Sequence, residues 1–278
     1  MVKQTTENKQ QPLLLIIDGD ILVYKSCASV EVPINWYGDL WTLHADAAEA
    51  IISFEDRMYD IVSDVLLKLE YVGEYKIKVC FSHDVNFRKQ ILYTYKQNRE
   101  GKRKPICYTA VKEWVTEHYD TVCLPRLEAD DVCSILATTP ENEGHSIVIS
   151  GDKDFRSIPG MFYNFLTRTI SNTTEAEADM FHLMQTLMGD RADNYSGCPG
   201  IGEKKAKQLL EDNATWDTVV KAFKKQGLSE LDALQQARVA YILRAKDIGD
   251  IDCLAEKGIK LWTPETTGNT AKNQKTFL

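Results

Sequence analysis

Leu13-Leu14-Leu15-Ile16-Ile17-Asp18-Gly19-Asp20 decides how the rest of this chain is read. Five consecutive apolar residues are too few for a core helix and suit a strand buried on both faces. The run stops on a carboxylate, and two later segments repeat the arrangement. Lys76 to Phe81 ends at Ser82-His83-Asp84, and Ser146 to Ile149 ends at Ser150-Gly151-Asp152. Between them, Ala45 to Tyr71, Thr109 to Glu117 and Asp130 to Ala137 carry apolar residues at the helical period of 3.6. Strands alternating with helices predict an α/β fold, a mostly parallel central sheet with helices on both faces. In such sheets the site lies beyond the carboxyl ends of the strands. Asp18, Asp84 and Asp152 are expected to meet there.

Other carboxylates fall at comparable places. Asp20 follows Asp18, and Glu128-Ala129-Asp130-Asp131 opens a helix with Glu128 and Asp131 on one face. Asp154 follows Asp152, and Asp190 is followed three residues later by Asp193. Acidic residues favour helix starts through the dipole, and Asp152-Lys153-Asp154 also fits a plain strand-to-helix turn with an Asp cap. Three carboxylates in four residues nevertheless exceed what a cap needs. Two unpaired carboxylates about 4 Å apart repel by roughly 4 kcal/mol at an effective dielectric near 20, so gathering many of them requires a cation. An all-oxygen site suits Mg²⁺ or Mn²⁺.

The chain has 278 residues, 44% of them hydrophobic, enough for one large domain or a domain with an appendage. No apolar stretch approaches the length of a bilayer span, and the polar start from Met1 to Pro12 lacks a signal-peptide core, so a soluble, cytoplasmic protein is expected. Seven cysteines without a Cys-x-x-Cys pair read as thiols in a reducing compartment, and five dispersed histidines give a zinc site little support. The expected organisation is a flexible tail over 1–12, an α/β domain over 13–170 and a helical region over 171–262. A flexible tail over 263–278 completes it.

A net charge of −8 argues against a nucleic-acid partner until its distribution is considered. Between Asn86 and Lys104, Arg88, Lys89, Lys96, Arg99, Lys102, Arg103 and Lys104 face a single acid, Glu100. Phe87, Tyr93 and Tyr95 interleave with these charges, as on surfaces that touch phosphates and unstacked bases. A solvated basic helix face is the plainer alternative. After Asn172 the pattern turns helical, with Glu175 to Met188 followed by a loop and a further helix from Glu203. There Gly200-Ile201-Gly202 and the small Ala206 have the spacing of a helix-hairpin-helix turn, within 189–210. Its backbone N–H groups can hold a phosphate, with Lys204, Lys205 and Lys207 supplying charge. Glycine turns also occur in purely structural hairpins. Asp190 and Asp193 are either caps or further ligands.

In combination these motifs resemble the 5' nuclease family of flap endonucleases and 5'-to-3' exonucleases, whose fold is of the PIN type. The carrying residues are Ile16-Ile17-Asp18-Gly19, Asp84, Tyr95-Lys96-Gln97-Asn98-Arg99, Glu128-Ala129-Asp130-Asp131, Ser150-Gly151-Asp152-Lys153-Asp154-Phe155, and Gly189-Asp190 with Asp193-Asn194 leading into Gly200-Ile201-Gly202. They run in family order. The wording around Phe81 to Arg88 and at Tyr195-Ser196-Gly197 is most similar to the gene 6 exonucleases of short-tailed phages.

The resemblance implies a Mg²⁺-dependent 5'-to-3' exodeoxyribonuclease acting on duplex DNA, with flap endonuclease and RNase H-type activity on RNA-DNA hybrids. It implies a place in phage DNA replication or degradation, in the host cytoplasm, as a monomer. Asp18, Asp84, Glu128 and Asp130 would hold one ion. Asp131, Asp152, Asp154, Asp190 and Asp193 would surround a second, with Mn²⁺ as a substitute metal. Lys96 and Arg99 would neutralise phosphate charge, and Tyr95 would stack on the terminal base. Gly200 and Gly202 would hold K⁺ at the turn, and Arg88, Lys89 and Lys102 to Lys104 would contact DNA from an arch-like segment over 85–105. The interval from Arg99 to Glu128 is shorter than in many members, which suggests an abbreviated or open arch.

Two rival classes remain. An aspartyl phosphatase of the HAD type would use Asp18 as nucleophile and Asp20 as acid/base, with Ser82 and Asp152 at its other corners. It leaves the Glu128 cluster, the basic segment and the hairpin without a role. A non-catalytic DNA-binding relative would keep repelling carboxylates to no benefit. Residues Glu31 to His44, with Trp36, Tyr37 and Trp41, fit a loop that grips duplex DNA, a partner site or a core-packing insertion, and core packing is the plainer expectation for such aromatics.

Overall fold

The computed structural model describes residues 11–248 and 258–264; the expected tails fall almost wholly outside them. Strand β1 (Leu13–Asp18) runs through the middle of the sheet, buried at every position. Its alternate side chains serve two cores: Leu13, Leu15 and Ile17 face one, Leu14 and Ile16 the other. That double burial is why the run reads as continuously apolar. At about 1.5–3 kcal/mol for each large aliphatic side chain, these five give a gross gain of roughly 8–15 kcal/mol.

Helix α1 (Gly19–Ser29) starts directly at the carboxyl end of β1, with Asp18 as its N-cap. A two-stranded antiparallel hairpin, β2 (Val32–Tyr37) and β3 (Leu40–His44), comes next. It corrects the expectation of core packing, because Trp36, Tyr37 and Trp41 are 64%, 87% and 58% exposed. Helix α2 (Ala47–Lys68), capped by Asp46 through the N–H of Ala48 (2.7 Å), returns the chain to β4 (Tyr75–Cys80).

The basic segment that follows holds only one helical turn, α3 (Arg88–Ile91), and a 3-10 turn at Gln97–Arg99. It is not a helical arch. Helix α4 (Tyr108–His118), the short β5 (Thr121–Val122), α5 (Ala129–Ala137) and β6 (Ser146–Ser150) complete the alternation. The hairpin of β7 (Gly160–Asn164) and β8 (Thr169–Thr173), which lacks a clear sequence signal, extends the sheet to six strands in the order β5-β4-β1-β6-β7-β8. All neighbours pair in parallel except β7 and β8.

Helices α1, α2 and α4 supply one core, and α5 with Tyr241 to Leu243, Ile259 and Leu261 supplies the other. The connections after β1 move to β4 and β5, and the chain then crosses over to β6 on the opposite side of β1. The order therefore reverses between β1 and β6, where α/β sheets open a crevice at the carboxyl edge.

Helices α6 (Glu175–Met188), α7 (Glu203–Asp212), α8 (Trp216–Lys225) and α9 (Glu230–Ala240) form a third core around Leu187, Ala206 and Phe223. Thr174 and Glu177 close a capping box at the start of α6. Beyond α9 the chain leaves the helical region and packs against α5 and the sheet.

Candidate active site

Asp18 ends β1 at the reversal point, 7% exposed. Ser150, ending β6, donates its hydroxyl to Asp18 Oδ2 (2.7 Å) and accepts the N–H of Asp152 (3.1 Å). Sequence reasoning gave Ser150 no role, yet it links the carboxylates across the crevice. Burial, with Asp20 and Asp152 nearby, pushes the Asp18 carboxyl up to about 7 against the lowering effect of Ser150. Asp84 is exposed just past β4, in a segment held to the head of α5 by the N–H of His83 on the Leu127 carbonyl (2.9 Å).

Asp20 is a framework residue. Its Oδ2 accepts the N–H of Ser82 (3.0 Å) and its Oδ1 the hydroxyl of Tyr108 (2.8 Å). Ser82 Oγ in turn accepts the N–H of Ala129 (2.9 Å) at the start of α5. Two of the four groups the phosphatase reading needs, Asp20 and Ser82, are thus engaged in holding β4, α4 and α5 together.

The Glu128 motif divides into two roles. Asp131 is fully buried and takes two bonds from the Arg88 guanidinium (2.6 and 2.8 Å), one from Glu128 N–H (3.2 Å) and one from Leu243 N–H (3.0 Å). Sealed from the crevice at 0% exposure and held on both oxygens, partly by backbone N–H groups, it is a poor metal ligand, which corrects the expected assignment. Arg88 also donates to Glu128 (3.2 Å) and to the carbonyls of Val239 (3.0 Å) and Tyr241 (2.7 Å). At 2% exposure it is an internal brace and no DNA contact, a second correction. Burial opposes its charge, but Asp131, with Tyr95 and Glu128, more than offsets this and raises its pKa.

Glu128 and Asp193 are drawn together by the basic segment. Tyr95 donates its hydroxyl to Glu128 (2.8 Å) and Asp193 (3.0 Å). Lys96 pairs with Glu128 and, at 3.5 Å, with Asp193, which also pairs with Arg99. Burial opposes ionisation of Glu128, but Lys96 and Arg88 hold its carboxyl down at about 2. The Tyr95 ring is buried against Tyr195, Val239 and Ala240. It therefore orients carboxylates and offers no free face for the expected stacking on a base. Asp130 is only partly covered, and burial together with Glu128 raises its pKa well above the carboxylate range.

The remaining acids come from two loops. Asp152 accepts the N–H of Asp154 (3.0 Å), while Asp154 Oδ1 is buried without a hydrogen-bond partner. Burial, with Asp152, Asp190 and Asp193 around it, pushes the Asp154 carboxyl up to about 7. Asp190 and Asp193 ride on a tight loop closed by paired bonds between Asp190 and Tyr195 (2.9 and 3.0 Å). Gly189 and Gly197 form its neck, both at positive φ (67° and 62°), and a Cβ on either would collide with the backbone of the other strand of the neck.

Among the described residues no three carboxylates converge on one point as direct ligands. They still fit a hard divalent cation. The orphaned Asp154 oxygen and the raised pKa values of Asp18, Asp130 and Asp154 mark negative charge that nearby donors do not neutralise. Mg²⁺ usually keeps several waters and takes only one or two carboxylates directly, which suits donors set a little apart.

A cavity of about 1000 Å³ leads from Lys153 and Asp190 past Thr94 and Tyr195 to Gly200, Gly202 and Glu203. Gly200 adopts the left-handed conformation (φ 72°) and its carbonyl accepts from Lys205 (3.2 Å). Lys204, Lys205 and Lys207 are exposed at the head of α7, Lys207 pairing with Glu211 (3.6 Å). Lys89, Lys102, Arg103 and Lys104 are exposed as well; Lys89 pairs with Glu100 (3.1 Å) and Arg103 with Glu31.

Comparison with known proteins agrees with this geometry. Residues 13–182 match the 5'-3' exonuclease N-terminal resolvase-like domain, and residues 177–265 match the 5'-3' exonuclease C-terminal SAM fold. The chain is 32% identical to the exodeoxyribonuclease of Enterobacteria phage T3, covering 91% of this chain and 93% of that one. It is 31% identical to the exonuclease of Escherichia phage T7, covering 90% and 93%. In fold it is similar to the bacteriophage T5 flap endonuclease, solved as a pseudo-enzyme-product complex with DNA and metal ions. The TM-score is 0.59 at 18% identity, over 82% of this chain and 88% of that one. No helix among the described residues is long and apolar enough to cross a membrane.

Proposed function

Since the chain belongs to the 5'-3' exonuclease family, we propose that this nuclease removes nucleotides from the 5' ends of duplex DNA, cuts 5' flaps and degrades the RNA strand of hybrids. It acts as a monomer inside the host cell. One observation carries the reading: carboxylates short of positive charge share a sheet edge with Lys96 and Arg99, at the mouth of a groove leading to the Gly200 turn.

Asp18, Asp84, Glu128 and Asp130 would hold one Mg²⁺, and Asp152, Asp154, Asp190 and Asp193 a second, with Mn²⁺ as a substitute. Such ions supply an activated water and stabilise the leaving oxygen. Ser150 keeps Asp18 and Asp152 in register across the crevice. Lys96 and Arg99 hold the scissile phosphate, and the partial burial of Lys96 strengthens its charge there. Backbone N–H groups at the head of α7, with Lys204, Lys205 and Lys207, bind a phosphate further along the duplex. A K⁺ ion at the turn would compete with Lys205 for the Gly200 carbonyl. Lys89 and Lys102 to Lys104 make outer phosphate contacts, so binding falls steeply with added salt.

The test is digestion of a 5'-labelled duplex, a 5' flap and an RNA-DNA hybrid, each with Mg²⁺ or EDTA. Release of label that needs the metal is expected from the duplex. Absence of release from all three would sink the proposal. Asp152→Asn should abolish release and leave duplex binding measurable; near-normal turnover would refute the metal assignment.

A further inference from the structure

Two asparagines of the motifs quoted above have no part in the proposed chemistry, yet both lie where the basic segment meets the Asp190 loop. Asn98 Nδ2 donates to the carbonyls of Arg191 (3.1 Å) and Ala192 (3.2 Å). Asn194 Nδ2 donates in the opposite direction, to the Thr94 carbonyl (2.7 Å). Between them the N–H of Lys96 donates to the Asp193 carbonyl (2.8 Å) and Arg99 Nε to the Ala192 carbonyl (3.2 Å). Segments nearly a hundred residues apart are thereby cross-linked into a clasp.

The backbone supplies a second observation. Lys96 and Asn194 both adopt the left-handed conformation, with φ of 54° and 60°. Asparagine tolerates it; lysine adopts it rarely and only where the surroundings impose it. At Lys96 it lets the N–H face the Asp193 carbonyl while the ammonium reaches Glu128. Released from the clasp, Lys96 would relax toward the right-handed region and its ammonium would shift.

We infer that Asn98 and Asn194 are positioning residues that hold Lys96 and Arg99 in reacting geometry by fastening their turn to the Asp190–Asp193 loop. The inference rests on the nuclease reading. Both asparagines are exposed, so their hydrogen bonds contribute little to stability, whereas a misplacement of about 1 Å can cost on the order of a hundredfold in rate.

The experiment compares Asn98→Leu, Asn194→Gly and Asn98→Gln with the wild-type chain in single-turnover cleavage of a 5'-labelled duplex. Glycine keeps the left-handed backbone and removes only the amide, while glutamine restores the donors on a longer arm. The first two variants should cleave roughly 10- to 100-fold more slowly, with duplex Kd in EDTA and Tm near wild type and with partial recovery in Asn98→Gln. In a Lys96→Ala background, Asn98→Leu should add little further loss. Unchanged cleavage in both variants overturns the inference. So does an equal loss in the Lys96→Ala background, or a loss that follows a fall in Tm and is not relieved by glutamine. A wild-type chain that releases no label would instead overturn the nuclease reading itself.

Discussion

Arg88→Met separates the buried brace from the surface contact that the basic run suggested. The substitution keeps much of the apolar stem and removes the guanidinium, leaving the fully buried Asp131 carboxylate with two backbone N–H donors, from Glu128 and Leu243. Deleting one partner of a buried pair costs roughly 3–5 kcal/mol because the other charge stays uncompensated. For a chain of this size, at about 2–4 °C per kcal/mol, the expected fall in Tm is roughly 6–20 °C. Scanning calorimetry in EDTA reads it directly. Arg88→Met with Asp131→Asn removes both charges and keeps one acceptor oxygen, so the double variant should be clearly more stable than the Arg88→Met single, a non-additivity expected of groups in direct contact. A Tm for Arg88→Met within about 2 °C of wild type, paired with weaker duplex binding, would refute the brace and return Arg88 to the DNA surface.

Three further outcomes follow from features other than the metal ligands themselves. His182 is buried, its Nε2 is 2.8 Å from the Ala237 carbonyl, and burial lowers its pKa from 6.5 to about 4. The unfolded chain therefore binds the extra proton between those values, and roughly 3 kcal/mol of stability present above pH 6.5 is lost as pH falls to about 4. His182→Gln should flatten that part of the urea-unfolding profile, and an identical slope contradicts the assignment. Gly197→Ala should lose roughly 1–3 kcal/mol and most cleavage, because the added methyl spreads the neck of the Asp190 loop; native Tm and rate together would disprove it. Trp41→Ser should change stability by no more than about 0.5 kcal/mol, and a large drop in Tm would show the hairpin packed against something after all.

The strands that place the site were legible because burial on both faces leaves an unbroken apolar run, as in Leu13 to Ile17. Helix α6 was legible from Glu175 to Met188 by its pattern, and the structure adds the capping box and the glycine that fix its two ends. Asp131 was not separable from Asp130, because the difference between them is made by Arg88 and Leu243, the latter 112 residues away. Arg88 was equally opaque: within a basic run, a cation looks the same whether it meets water or a buried carboxylate. Tyr95 carried an aromatic signature that fits a stacking face, and only the third dimension turns that face inward. The hairpin of β2 and β3 misled for the converse reason, since indole and phenol side chains usually pack inside and nothing local marks this group as exposed.

The bonds from Arg88 to the carbonyls of Val239 and Tyr241, and from Leu243 to Asp131, have a meaning in time as well as in space. Contacts so distant in sequence form late, after much loop entropy has been lost. A chain emerging from the ribosome can complete its sheet, since all six strands are made by Thr173, yet Arg88 and Asp131 lack their bonds to Val239, Tyr241 and Leu243 until the end of α9 and the residues after it arrive. The polypeptide would thus have a shaped crevice before the brace behind its acids is complete.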